Sequence, residues 1–219
     1  MENLFSLLIF NLECLIILIS FLYSIRLPFC KKDVYMKYFA LYCLVALIVM
    51  IPLFLQDNKL YKMNWADVFN NYSLIFNFGF LGIFILKVLP SNKIYLFLFL
   101  VFISLIIYQI VENNGVQNNY KAFYINHIGL ITLSFIYLSS IMKDIPERTL
   151  IRTPEFWLVL GVLFCSLVNL PVIYLLDQLN NNKMHLVVNN FIIRNLSNFG
   201  YIVMYSLFII SFKISIKNG

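Results

Sequence analysis

Two charged residues lie inside long apolar stretches of this sequence, Glu13 near its start and Arg194 near its end. A charge within a bilayer costs about 3 kcal/mol or more, so such residues almost always face the interior of a helical bundle or a water-filled cavity. Arg194 lies eight residues into the last apolar stretch and Glu13 nine into the first, which places both at a depth of about 12–14 Å. We therefore expect a buried Glu13–Arg194 ion pair, with Asp67 as the alternative partner of the arginine.

Amide residues surround this arginine. The segment VVNNFIIRNLSNFGYIV (187–203) carries four asparagines and a serine as well as Arg194. Polar residues recur there every three or four positions, which places them on one face of a helix. That face carries Asn190, Arg194, Ser197, Tyr201 and Tyr205.

Polar residues of the other apolar stretches fall mostly in the same half of the bilayer. This asymmetry predicts a polar cavity that opens toward one side of the membrane and binds a ligand. The residues expected to form it are Glu13, Asp67, Asn71, Asn77, His127, Asn190, Arg194 and Asn198. The alternative is that these side chains only join helices, because asparagine and serine commonly form interhelical hydrogen bonds of about 1 kcal/mol or less. The sequence leaves both readings open.

The sequence contains none of several common catalytic or cofactor-binding motifs. His127 and His185 lie in separate segments without an HExxH pattern, and no GxSxG, Walker or Rossmann glycine pattern occurs. No lysine lies in the middle of the last apolar stretch, where a retinal Schiff base would need one. The four cysteines show no metal-binding spacing. We therefore predict no catalytic residue, no metal site and no cofactor.

Composition places the whole chain in a membrane. It is 62% hydrophobic and only 12% charged, with a mean hydropathy of +0.86, whereas soluble domains are about a quarter charged. Continuous apolar runs of about twenty residues are typical of transmembrane helices, because lipid offers the backbone no hydrogen-bond partners. We predict an all-α, polytopic bundle of seven transmembrane helices forming one domain over residues 1–219. The predicted spans are 4–25, 37–55, 65–89, 94–111, 123–142, 155–176 and 186–212.

The distribution of positive charge predicts the orientation. With the N-terminus outside and the C-terminus inside, eleven lysines and arginines fall on the inner side and four on the outer side. This is the bias expected of bacterial inner-membrane proteins. The net charge of +6 therefore indicates topology, and no nucleic-acid partner is expected.

The segments that carry these features also resemble a known group of proteins. TPEFWLVLGVLFCSLVNLPVIYLL, HLVVNNFIIRNLSNFGYIVMYSLFIISF and NNYSLIFNFGFLGIFILKVLP are similar to the sixth, seventh and third spans of short seven-helix proteins from Bacteroidota. That family often has an acidic residue at or near the position of Asn77. Its members are often encoded beside sensor kinases, so the resemblance implies a sensory role.

These observations favour a non-enzymatic membrane protein that binds a small molecule or lipid in its outer half. The predicted inner loops are too short to form an effector, so a signal would have to pass to a membrane-associated partner. The alternatives are a membrane enzyme, a transporter of a lipid or small solute that uses the same cavity, or a structural subunit of a membrane complex.

The predicted orientation can be measured by thiol labelling. In a variant without the four native cysteines, a cysteine introduced at Gln117 should react with a membrane-impermeant maleimide in intact cells. A cysteine introduced at Lys31 should react only after permeabilisation, because its loop is predicted to be cytoplasmic. The opposite labelling pattern would reverse the topology.

Overall fold

The computed structural model describes the backbone of residues 2–26, 38–57, 66–89, 92–112, 119–144, 147–180 and 190–218. Side chains are described for 8–26, 38–50, 71–89, 92–112, 119–143, 149–178, 193 and 195–217. Within these ranges the chain forms helices and no strand. The helices are α1 (Glu2–Ser24), α2 (Phe39–Asp57), α3 (Ala66–Val88), α4 (Lys93–Glu112), α5 (Tyr120–Asp144), α6 (Glu147–Leu150), α7 (Pro154–Asn180) and α8 (Asn190–Asn218).

Five of these helices, α3, α4, α5, α7 and α8, are long and apolar enough to cross a membrane. Two shorter apolar stretches, Leu8–Ser24 and Phe39–Met50, belong to α1 and α2. Helix length and hydropathy therefore confirm an all-α, multi-pass membrane protein. Each predicted span coincides with one of the seven long helices, while α6 is an additional single turn between α5 and α7.

The last helix is longer than the last predicted span. That span ends at residue 212, where lysines begin, and α8 continues to Asn218. Lys213 and Lys217 are exposed, whereas Ser215 between them is buried. The helix continues because its polar side still packs on the bundle, and exposed lysines do not end a helix.

Six of the long helices form a closed ring. Their contacts run in the order α1, α2, α3, α5, α7, α8 and back to α1, while α4 packs outside the ring against α3 and α5. Consecutive long helices run in opposite directions. We call the end of the bundle where α1 begins the amino-terminal end and the end where α8 finishes the carboxyl-terminal end. The first and last spans, α1 and α8, are thus in contact, as the predicted Glu13–Arg194 pair requires.

Glycines allow α7 and α8, the pair in most extensive contact, to approach closely. A methyl group in place of the hydrogen of Gly161 would lie 3.1 Å from the backbone oxygen of Met204. At Gly200 it would lie 3.3 Å from both Asn169 Nδ2 and Val168 Cγ1. Small residues at such contacts are the usual means by which helices associate in lipid.

Aromatic side chains fill the interior of the closed ring of helices toward the carboxyl-terminal end of the bundle. Phe39 of α2 is fully buried and makes edge-to-face or similarly steep contacts with rings of α3 and α8, at centroid distances of 4.9–5.8 Å. These distances lie in the favourable range for aromatic pairs. The partners are Phe80, Phe84, Phe208 and Phe212. This aromatic cluster joins α2, α3 and α8 below the candidate site.

Candidate functional site

A cavity of about 140 Å³ lies between α1, α2, α3 and α8, and Phe123 of α5 also reaches it. On α2 its wall is mostly apolar and includes Val45, Ala46 and Val49. Each of the four helices also contributes at least one polar side chain, which on α2 is that of Tyr42. Those polar residues are Glu13, Tyr42, Ser73, Asn77, Tyr201 and Tyr205.

Two of these side chains are joined by a hydrogen bond across the bundle. The Tyr42 hydroxyl donates to Asn77 Oδ1 at 2.8 Å, which connects α2 to α3. Tyr205 of α8 lines the same cavity as these two residues. The bond thus fixes the relative positions of α2 and α3 beside α8.

Glu13 supplies the acidic group of the cavity. This residue is only 3% exposed, and it lines the cavity together with Tyr201. Glu13 and Ile17 lie one turn apart on α1 and both line the cavity, as the helical repeat requires. The face of α1 that carries Glu13 therefore points into the bundle.

The polar face predicted for α8 contributes side chains both to the cavity and to the contact with α7. Tyr201 and Tyr205 line the cavity, whereas the Ser197 hydroxyl donates to Asn169 Oδ1 of α7 at 2.5 Å. Asn169 Nδ2 in turn donates to the Cys165 carbonyl at 2.9 Å. Residues four apart on a helix differ by about 40° in direction, so a stripe of several turns reaches more than one helix.

Asn71 is not among the described residues that line the cavity. It lies where α3, α4 and α5 meet. It is fully buried, and its Oδ1 accepts a hydrogen bond from the backbone N–H of Asn119 at 3.4 Å. Asn119 caps α5 by accepting from the Ala122 N–H at 3.1 Å. Its Nδ2 donates to the Gln109 carbonyl at 2.5 Å, near the end of α4. Asn71 therefore ties α3 to the start of α5 and the end of α4.

His127 and Asn198 lie close to the cavity without being among its described lining residues. His127 is buried on α5, one turn after Phe123. Its Nδ1 makes no hydrogen bond to any residue the structure describes. Asn198 is half-buried on α8, one turn before Tyr201. Relative to these lining residues, Asn198 therefore lies toward the amino-terminal end of the bundle and His127 toward the carboxyl-terminal end.

Three predicted site residues have side chains outside the described set. Asp67 is the second residue of α3, Asn190 is the first residue of α8, and Arg194 is four residues further along α8. Arg194 precedes Tyr201 by seven residues, which is two turns along nearly the same face. The Glu13–Arg194 pair therefore stays a prediction, supported by the contact between α1 and α8.

Sequence reasoning did not identify Tyr42 as a site residue. It lies in an apolar stretch, where a tyrosine is commonly a core or interfacial residue. Its three-residue spacing from Phe39 was the one available signal, since that spacing places both rings on one helical face. Ser73 was also missed, although it neighbours the predicted polar positions of α3.

Comparison with protein-family models, with curated proteins and with solved structures gives no match to this chain. Among the residues that the structure describes, no group of three or more His, Cys, Asp or Glu side chains could hold a metal ion. The chemistry of the site therefore has to be inferred from its own groups. These are a carboxyl group, an amide and several hydroxyls in a cavity of the size that holds a benzene molecule in an engineered protein core.

The predicted ion pair can be tested by a double substitution. Glu13→Leu and Arg194→Leu should each lower the yield of folded protein, because each leaves a buried charge without its counter-charge, at a cost of about 3–5 kcal/mol. The double variant should recover part of the loss. Folded yield is measured as the monodisperse fraction in size-exclusion chromatography of a fluorescent fusion.

Glu112→Leu is the matched control, because Glu112 is exposed at the end of α4. It removes one acidic group without breaking a buried pair and should change the yield little. Losses of the two single variants that simply add in the double variant would show that Glu13 and Arg194 do not interact.

Proposed function

We propose that this protein is a non-enzymatic, seven-span receptor-like protein that binds a small molecule or lipid in the cavity between α1, α2, α3 and α8. The observation that carries the proposal is the Tyr42–Asn77 hydrogen bond beside Tyr205 and buried Glu13, all bordering one cavity. Polar groups that only joined helices would be expected to pack against each other without leaving such a space.

The cavity favours a compact ligand with an apolar part and a few hydrogen-bonding groups. Its volume of about 140 Å³ suits a group of roughly six to ten non-hydrogen atoms, by comparison with the cavity that holds benzene. Val45, Val49 and Met50 offer apolar contacts, while Asn77 and Tyr201 offer polar ones. Mostly apolar pockets with a few placed polar groups are typical of small-molecule sites.

Helix α8 is the element best placed to transmit binding. Tyr201 and Tyr205 border the cavity, and Phe208 and Phe212 of the same helix pack in the aromatic cluster. A ligand that moves these tyrosines would therefore bias the packing at the carboxyl-terminal end. A membrane-associated signalling partner is proposed there, in keeping with the resemblance to proteins encoded beside sensor kinases.

The proposed membrane is the bacterial inner membrane, with the amino-terminal end of the bundle outside. The excess of lysine and arginine in connections at the carboxyl-terminal end supports this orientation. In it the ligand would come from the outer side, because Met50, Ser73 and Phe123 extend the cavity toward the amino-terminal end.

The proposal predicts that filling the cavity removes a bound compound. Ala46 lines the cavity and is half-buried, so Ala46→Phe should displace the ligand. The protein is purified from its host, and small molecules and lipids extracted from it are quantified by mass spectrometry as a molar ratio to protein. At least one compound should fall by about tenfold or more, which corresponds to about 1.4 kcal/mol of binding energy.

Ile48→Phe is the control, because Ile48 lies on the same helix and is 52% exposed. It adds a ring toward the lipid and should retain the compound. If both folded variants keep the same extracted compounds in the same amounts, the cavity is not a ligand site, and a structural subunit becomes the better account. A compound that is chemically changed during purification would favour the enzyme alternative.

A further inference from the structure

Two adjoining grooves lie at the carboxyl-terminal end of the bundle, far from the cavity along α3. One, of about 450 Å³, lies between the end of α3 and the start of α4. The other, of about 400 Å³, lies between α4 and the last turns of α5. Tyr95 lines both grooves, so the two adjoin at the beginning of α4, and we refer to them together as the depression.

Positive charge borders this depression on three sides. Lys87 of α3 and Lys93 of α4 line the first groove, and Lys143 of α5 lines the second. All three are exposed, and none forms an ion pair with a residue that the structure describes. Three lysines on different helices thus line this one depression.

The start of α4 adds to this positive potential. Asn92 Oδ1 accepts a hydrogen bond from the Ile94 N–H at 2.9 Å, which identifies Asn92 as the cap of a 20-residue helix. The positive end of that helix dipole points into the same region as the lysines. Ser139 and Ser140 provide hydroxyl donors in the second groove.

The groove walls are apolar where they descend toward the middle of the bundle. Ile83, Leu96 and Phe99 form the wall of the first groove, and Phe135 and Ile136 that of the second. Ile83, Leu96 and Phe135 are each about half exposed. A free phosphate ion would use the lysines and leave these walls uncovered, whereas a lipid covers both.

We propose that this depression is a binding site for an anionic phospholipid. Its phosphodiester lies among Lys87, Lys93 and Lys143, with Tyr95 at the centre, and its acyl chains lie along the apolar walls. Basic pockets between transmembrane helices at the membrane surface bind phosphate head groups in this manner. The proposal uses none of the residues of the cavity and does not depend on the proposed function.

The test is native mass spectrometry of the full-length protein in non-ionic detergent, titrated with dioleoylphosphatidylglycerol or dioleoylphosphatidylcholine. The native protein should bind the anionic lipid about tenfold or more tightly than the zwitterionic one, since each lysine near a head group contributes on the order of a fivefold preference. The triple variant K87Q/K93Q/K143Q should lose this preference while remaining monodisperse.

The matched control is R152Q/K213Q/K217Q, which removes the same charge from exposed residues at the same end of the bundle. It should keep the preference for phosphatidylglycerol. An equal loss in both variants would show that net surface charge and not this site selects the lipid, and would overturn the proposal. Displacement of the lipid by equimolar sn-glycerol 3-phosphate would also overturn it, because it would identify a site for free phosphate compounds.

Discussion

The need to satisfy polar groups inside a lipid-embedded bundle organises this structure. Lipid offers no hydrogen-bond partners, so a buried polar side chain is stabilised where it finds one within the protein. Asn71 and Asn119 meet this need at the junction of α3, α4 and α5, and Asn169 and Ser197 meet it between α7 and α8. These two sets of bonds use polar residues to join helices. The cavity differs from them because its polar groups border a space.

The position of α8 connects the cavity to the rest of the fold. Gly161 and Gly200 hold α8 closely against α7, so the direction of its tyrosine-bearing face is set by backbone packing. Below the tyrosines, the aromatic cluster around Phe39 closes the ring of helices. The cavity therefore lies between the closely packed helix α8 and the neighbouring helices α1, α2 and α3, next to the aromatic cluster. Such surroundings keep a space open beside Tyr42 and Asn77, which are hydrogen bonded to each other.

The sequence alone predicted the features that depend on the length of apolar segments and on single unusual residues within them. The helices followed from apolar runs, and Glu13 and Asn77 stood out as polar residues within them. It could not predict that Asn71 serves a junction, because its partner Asn119 lies 48 positions away, at the start of another helix. Tyr42 was hidden for a related reason: a tyrosine among leucines and valines becomes notable only when packing brings Asn77 and Tyr205 beside it. Helix pairing, which decides both cases, leaves little trace in one sequence.

The central claim is that the groups around Glu13, Tyr42 and Asn77 enclose an occupied site instead of a dry helix contact. An experimental electron cryomicroscopy structure of the protein in lipid nanodiscs, with a bound antibody fragment for alignment, tests this most directly. The account predicts non-protein density in the cavity, within hydrogen-bonding distance of the Asn77 amide or the Tyr201 hydroxyl. A cavity closed by direct contacts among these side chains, with no density between them, would contradict it.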